Sequence, residues 1–350
     1  MASLNDRGVI SRFRQHLPIT DATPIVSLNE GSTPLIHSPR LSERAGAEVY
    51  VKYEGLNPTG SFKDRGMTVA LSKALEQRAG TVICASTGNT SAAAAAYAAR
   101  AGILCAVLLP VGKIATGKLV QAYLYGAKVI AVRGNFDDAL RLVRELGTLE
   151  GIEIVNSINP HRIEGQKTAS FEIIEELEDA PDLHILPVGN AGNITAYWKG
   201  YREFFELRRS TRLPRMMGFQ AAGSAPIFHN RVIESPNTVA TAIRIGNPAS
   251  WVGASSALAE SQGRIGIVSD EEILAAQSWL AKNEGLFVEP ASAASIAGLF
   301  QLGDTGARRI VLTVTGHGLK DPDTAMTTGD YRPLEVEADL SAIRRLLEGS

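Results

Sequence analysis

The sequence predicts an α/β protein carrying two open parallel sheets, and two observations lead there. From residue 81 onward, short β-rich apolar runs alternate with helical stretches of about a dozen residues, the pattern of βαβ units. The length of 350 residues suits about two domains with sizeable cores.

Taken in order, the first unit pairs "TVICAS" (81–86) with an alanine-rich helix over 91–101. "ILCAVLLP" (103–110) precedes a helix around 114–125, and "AKVIAVR" (127–133) precedes "FDDALRLVRELGTL". "IEIVN" closes this series at Asn156. A helix over about 163–178, "LHILPVG" (183–189) and a helix over 194–207 follow. Then come "RMMGFQAA" (215–222), "GRIGIVS" (263–269), two further helices and "RIVLTVTG" (309–316). "DLSAIRRLLEGS" reads as a C-terminal amphipathic helix. The smaller domain is placed at 53–153, and residues 1–52 with 154–350 form the larger.

Composition narrows the function classes. The apolar fraction is 45% and the charged fraction 21%, as in ordinary globular enzymes. A net charge of -2 without a basic run makes nucleic acid an unsuitable partner. No apolar run is long enough to span a bilayer, and the polar opening "MASLNDRGVISRFRQHLP" is no signal peptide. Cys84 and Cys105 fall in strand-like apolar runs, so buried thiols in a reducing cytoplasm are expected. The six histidines form no metal-binding spacing, and no metal site is expected.

The stretch "NPTGSFKDRGM" (57–67) is unusual because it puts a lysine, Lys63, at the mouth of a helix. Pro58 and Gly60 make a turn, and Ser61 with Asp64 fits the Ser-x-x-Asp capping pattern. A cation at the positive end of a helix costs stability, which is useful where an amine must be partly deprotonated to react. The plain alternative is a solvated lysine that happens to start a helix.

Three strand ends carry further chemistry, and ligands of open α/β sheets gather at such ends. "STGNT" (86–90) offers hydroxyls, an amide and a helix start to an anion such as a carboxylate. "VGNAGN" (188–193) offers a glycine-rich cup for a phosphate, without the spacing or ribose acid of a dinucleotide site. "TVTGHGLKD" (313–321) ends a strand at Thr315 with free backbone around His317. A placed lysine with a phosphate cup, and neither metal nor dinucleotide signature, describes a pyridoxal-phosphate site.

Here a resemblance enters. "NPTGSFKDRG", "STGNTSAAAAAYAA", "INPHRIEGQKT", "PVGNAGNITA", "EPASAAS" and "TGHGLKDP", in this order over 57–322, resemble the threonine synthase family of the fold-type II pyridoxal-phosphate enzymes. That resemblance implies a cofactor held in the cleft between two parallel-sheet domains, with Lys63 as the Schiff-base lysine in the smaller. It implies Phe62 beside the cofactor ring, Asn89 at its 3′-hydroxyl and Thr315 at its pyridine nitrogen. Gly189, Asn190, Ala191, Gly192 and Asn193 match the phosphate loop. The implied reaction takes O-phospho-L-homoserine and water to L-threonine and phosphate. Ser86, Thr87 and Asn89 would then hold the substrate carboxylate. Thr90, Lys113, Asn156, Ser157, Arg162 and Asn190 would meet its phosphate. For Arg162 the plain alternative is a surface salt bridge to Glu164 or Asp182, and for Lys113 a solvated helix start. A homodimer is implied as well, and no role follows for His317 or Glu289. The regulatory N-terminal extension of plant members is not expected. The competing readings are a threonine or serine dehydratase of the same fold, and a homologue that binds the cofactor or an amino acid without turnover. The second cationic pocket around "NSINPHR" favours a phosphorylated substrate over the dehydratase.

Overall fold

The computed structural model describes residues 8–111, 116–134, 136–327, 329, 331–336 and 338–348. Ten strands form two sheets among them. The strands are β1 (Leu35–His37), β2 (Glu48–Tyr53), β3 (Thr81–Ala85), β4 (Leu104–Pro110) and β5 (Lys128–Val132). They continue with β6 (Ile152–Ile154), β7 (Leu183–Pro187), β8 (Arg215–Ala221), β9 (Arg264–Val268) and β10 (Arg309–Val314). One sheet runs β1-β2-β10-β7-β8-β9, parallel except for the antiparallel edge pair β1–β2. The other runs β5-β4-β3-β6 and is parallel throughout.

Helices cover both faces of each sheet, which is why the strands read as continuous apolar runs. Along β10, Ile310, Leu312 and Val314 enter one core while Val311 enters the opposite one. Along β3, Val82 and Cys84 face one layer and Ile83 and Ala85 the other. Both cysteines are buried and free. The strand runs read from residue 81 onward all form, with ends within a few residues of the expected ones. β1 and β2 were not anticipated, and the reason is visible in "EVYVKY". Its polar alternation suggests an exposed face, yet Lys52 is fully buried there, satisfied by Glu172 at 2.8 Å. The C-terminal helix forms at Leu340–Glu348 with Leu340 and Leu347 exposed.

One buried ion network fixes the helix that carries the lysine, Lys63–Glu76. Arg65 forks onto Glu54, with Nε to Oε2 at 2.7 Å and Nη2 to Oε1 at 2.8 Å. It forks again onto Glu172, with Nη1 to Oε1 at 2.7 Å and Nη2 to Oε2 at 2.6 Å. Glu172 lies on the helix Pro160–Leu177 and also takes Lys52 of β2, so β2, its following turn and two helices meet in one ion network. Burial alone would raise the Glu172 carboxyl's pKa, but Arg65 and Lys52 hold it well below the ordinary carboxylate range. Removing one partner of such a buried network leaves charges uncompensated. Arg65→Met should therefore cost about 3–5 kcal/mol in urea unfolding, and a loss below about 1 kcal/mol would contradict the clamp.

Candidate functional site

The lysine turn is held against the end of β10 by backbone bonds. Phe62 N–H donates to the Thr315 carbonyl at 3.0 Å, and His317 N–H donates to the Gly60 carbonyl at 2.9 Å. These place the first residue of the helix, Lys63, beside Thr315. The expected capping box does not form. Phe62 occupies the N-cap position without a side-chain cap, and the Asp64 carboxylate turns back to accept from Thr59 N–H at 2.7 Å and from the Thr59 hydroxyl. Asp64 is fully buried, and that burial pushes its carboxyl up to about 7. The local Ser-x-x-Asp pattern lost to a stronger demand, since a buried carboxylate takes whichever donors reach it first.

Lys63 Nζ lies 4.2 Å from the centre of the Phe62 ring. Burial first, and the nearby Arg162 second, push its amine down to about 7, with Glu289 acting the other way. Arg162 comes so close because the two helices cross without side chains between them. A Cβ on Gly165 would fall 1.9 Å from the Arg65 carbonyl oxygen, and one on Gly66 would fall 2.8 Å from the Arg162 carbonyl oxygen. Arg162 itself is 1% exposed. Its Nη1 donates to the Val155 carbonyl at 3.3 Å, while Nε and Nη2 have no hydrogen-bond partner among the described residues. Neither surface alternative holds, because Glu164 pairs with Lys167 and Lys199, and Asp182 with Arg212. A buried fork with free donors is a site for an oxyanion.

The "STGNT" segment ends β3 and opens the helix Asn89–Ala101. Ser86 Oγ accepts from Gly88 N–H at 3.2 Å, and Ser86, Thr87 and Thr90 are partly exposed. Asn89 is buried, and its amide donates to both oxygens of Glu289 at 3.0 and 3.1 Å. Glu289 was not assigned a role from the sequence, although it opens the quoted "EPASAAS". It fits because Gly316 lacks a side chain; a Cβ there would sit 2.4 Å from Glu289 Oε1. Burial raises the Glu289 carboxyl's pKa, and the Asn89 bond and Lys320 counter it.

Asn156 accepts from Ala85 N–H at 3.0 Å and donates to the Ala85 carbonyl at 3.1 Å. It thus supports the Ser86 loop from below, with one amide hydrogen left over. Asn190 bridges the Ser157 hydroxyl and Ala249 N–H through its carboxamide. Lys113 lies outside the described residues.

The glycine-rich cup leads into the helix Gly192–Glu206. Ala191 takes a left-handed conformation with φ 64° and ψ -1°, turning the chain sharply from Gly189 and Asn190 into the helix start. Asn193 in the first turn is buried with both side-chain polar atoms unpartnered among the described residues. Orphaned polar atoms at a helix start fit a phosphate group, since the N–H groups there need an acceptor.

Ser292 was likewise missed. Its Oγ accepts N–H bonds from Thr315 and Gly316, each at 2.9 Å, and lies 2.9 Å from Thr315 Oγ1. With two N–H groups already on it, Ser292 Oγ has its own hydrogen to give to Thr315 Oγ1 or to the Gly316 carbonyl at 3.3 Å, which leaves the Thr315 hydroxyl hydrogen for a ligand acceptor. Lysine, hydroxyl and phosphate cup together fit pyridoxal phosphate. Among the described residues, no group of three His, Cys, Asp or Glu could hold a metal ion.

A model of the pyridoxal-phosphate dependent enzymes matches residues 26–316. The threonine synthase of Halalkalibacterium halodurans is 56% identical over 347 residues, covering 98% of each chain. The Mycobacterium tuberculosis threonine synthase is 59% identical over 324 residues, covering 91% of this chain and 90% of the relative. Among solved structures, maize serine racemase superposes with a TM-score of 0.75 at 20% identity, covering 98% of both chains. Threonine deaminase isoform 2 from Solanum lycopersicum gives a TM-score of 0.72 at 20% identity, covering 96% of this chain and 88% of that one. These structural likenesses establish the fold.

The amine's environment has a direct readout. In protein stripped of cofactor, Lys63 should become reactive towards a small acylating reagent as pH rises through about 7, because the neutral form is the nucleophile. A profile matching the exposed lysines, near the ordinary value of about 10.4, would contradict the burial argument.

Proposed function

This chain belongs to the pyridoxal-phosphate dependent enzymes and, within them, to the threonine synthase family, and on that premise we propose that it converts O-phospho-L-homoserine and water into L-threonine and phosphate. The observation that carries the substrate is Arg162, a buried guanidinium with two unpartnered donor nitrogens next to Lys63. A phosphate ester supplies the anion this fork lacks. A hydroxy-amino acid without phosphate has only its carboxylate, which the Ser86–Asn89 loop would take.

Bound in the cup, the cofactor supplies an electron-withdrawing ring that stabilises negative charge beside the substrate's amino group. Asn193 and the first turn of helix Gly192–Glu206 would hold its phosphate, Asn89 would meet the ring hydroxyl through its second amide hydrogen, and Thr315 would face the ring nitrogen. A neutral hydroxyl at that nitrogen does not force a proton onto it as a carboxylate would. Lys63, with its pKa near 7, can both take and return protons at neutral pH. It would move them at Cα, Cβ and Cγ of the substrate as phosphate leaves Cγ and water adds at Cβ. Ser86, Thr87 and Asn89 would orient the carboxylate. Arg162 would hold the departing phosphate, with Thr90, Ser157, Asn190 and the remaining hydrogen of Asn156 around it.

The smaller domain at 53–153, the homodimer and the cytoplasmic location belong to the same proposal. Two free buried thiols support the reducing compartment. No helix among the described residues is long and apolar enough to cross a membrane.

Lys63→Ala should abolish turnover, and borohydride reduction of the wild-type holoenzyme should fix the cofactor on the peptide containing Lys63. A label on another lysine would refute that assignment. Arg162→Ala should lose about tenfold to a thousandfold in kcat/KM for O-phospho-L-homoserine, the equivalent of about 1.4–4 kcal/mol. Spectral binding of serine, which has no phosphate, should survive. Equal losses for both ligands would favour the dehydratase instead.

A further inference from the structure

Three bonds from the segment after β10 hold the turn that leads into Lys63. Two are the backbone bonds of Phe62 and His317, which depend on no particular side chain. The third is made by Lys320, whose Nζ donates to the Thr59 carbonyl at 3.1 Å. The same ammonium donates to Gln121 Oε1, and Gln121 Nε2 lies 3.4 Å from that Thr59 carbonyl. Gln121 sits on the helix Thr116–Leu124, whose Leu119 and Ala122 pack into the core of the four-stranded sheet with Val107 and Leu109. Lys320 follows β10 of the six-stranded sheet. One amine therefore joins a helix of one sheet to the lysine turn at the end of the other.

Packing does not demand a lysine at this place. Its stem lies against Gly60, with Cδ 3.1 Å from where a Cβ would stand, a space that methionine fills as well. Burial pushes the Lys320 amine's pKa down, against the pull of Glu289 and Asp64. A cation retained where desolvation opposes it marks a demand for directed hydrogen bonds. Thr59 is the shared point, because its N–H and hydroxyl hold Asp64, the neighbour of Lys63, while its carbonyl takes Lys320 and Gln121.

We propose that Lys320 is a positioning residue for Lys63, pinning the Thr59–Phe62 turn to the helix Thr116–Leu124 so that the amine keeps its direction throughout turnover. The proposal rests on reading Lys63 as the proton-moving group. It concerns orientation rather than substrate binding, so kcat should fall while KM holds.

The test uses the holoenzyme with Lys320→Met, Gln121→Leu and both together. Each single variant should lose about fivefold or more in kcat while KM for O-phospho-L-homoserine moves by less than about threefold. The double variant should fall little below the lower single, because both remove one junction and neighbouring sites of this kind are not additive. Gln121→Leu leaves the buried lysine in place, so it carries the test even if Lys320→Met does not fold. A Gln121→Leu enzyme with wild-type kcat, multiplicative losses in the double variant, or a rise in KM alone would overturn the proposal. Should the wild type leave O-phospho-L-homoserine unchanged, the substrate reading falls separately. The same comparison is then made on the rate at which borohydride fixes the cofactor to Lys63. A changed rate in Gln121→Leu supports positioning, and equal rates in all variants overturn it.

Discussion

Two basic groups, the half-buried Lys63 and the fully buried Arg162, lie close enough for their charges to oppose one another, and much of the site answers that cost. The crossing at Gly66 and Gly165 creates the encounter, since any side chain there would drive the helices apart. Burial and the mutual repulsion lower the Lys63 pKa into the range where an amine can both accept and give a proton. Arg162 stays charged and keeps two donor nitrogens unspent. Such a hollow is poorly satisfied by the protein alone and well satisfied by anionic ligands. The Arg65 network makes that strain tolerable, because four fully paired buried charges anchor the same two helices just behind the site.

Around these cations the protein places oriented hydrogen-bonding pairs, one between two hydroxyls and one between an amide and a carboxylate. Ser292 turns the Thr315 hydroxyl outward, and Glu289 fixes the Asn89 amide. Each pair joins residues distant in sequence, and the bare backbone at Gly316 gives Glu289 its space. The ligand groups are thereby oriented before any ligand arrives, which is the condition for effective electrostatic stabilisation.

How much of this was legible depended on range. Lys63, Ser86, the Gly189–Asn193 cup and Thr315 were readable because strand ends in α/β sheets concentrate function, and each local segment carries its own chemistry. The parallel strands were readable from runs that are apolar on both faces. Glu289 was not, since its partner Asn89 lies 200 residues away. β2 was hidden because Lys52, a residue that marks exposed surface, is buried on the carboxylate of Glu172. The capping pattern at Ser61 misled for a similar reason: Asp64 answers to Thr59 and to burial, which no local motif encodes. The helix crossing at Gly66 and Gly165 lies in two quoted motifs, yet its meaning emerges only when both backbones are placed in space.

On the proposed reading, Arg162 is buried and under-bonded because the substrate's phosphate completes it. The most direct measurement is a crystal structure of the holoenzyme with an unreactive phosphonate analogue of O-phospho-L-homoserine. Phosphonate oxygens should lie within about 2.7–3.2 Å of Arg162 Nε and Nη2, with the side chain where it now stands. A phosphonate bound elsewhere, with the Arg162 fork turned onto a protein carboxylate, would contradict it.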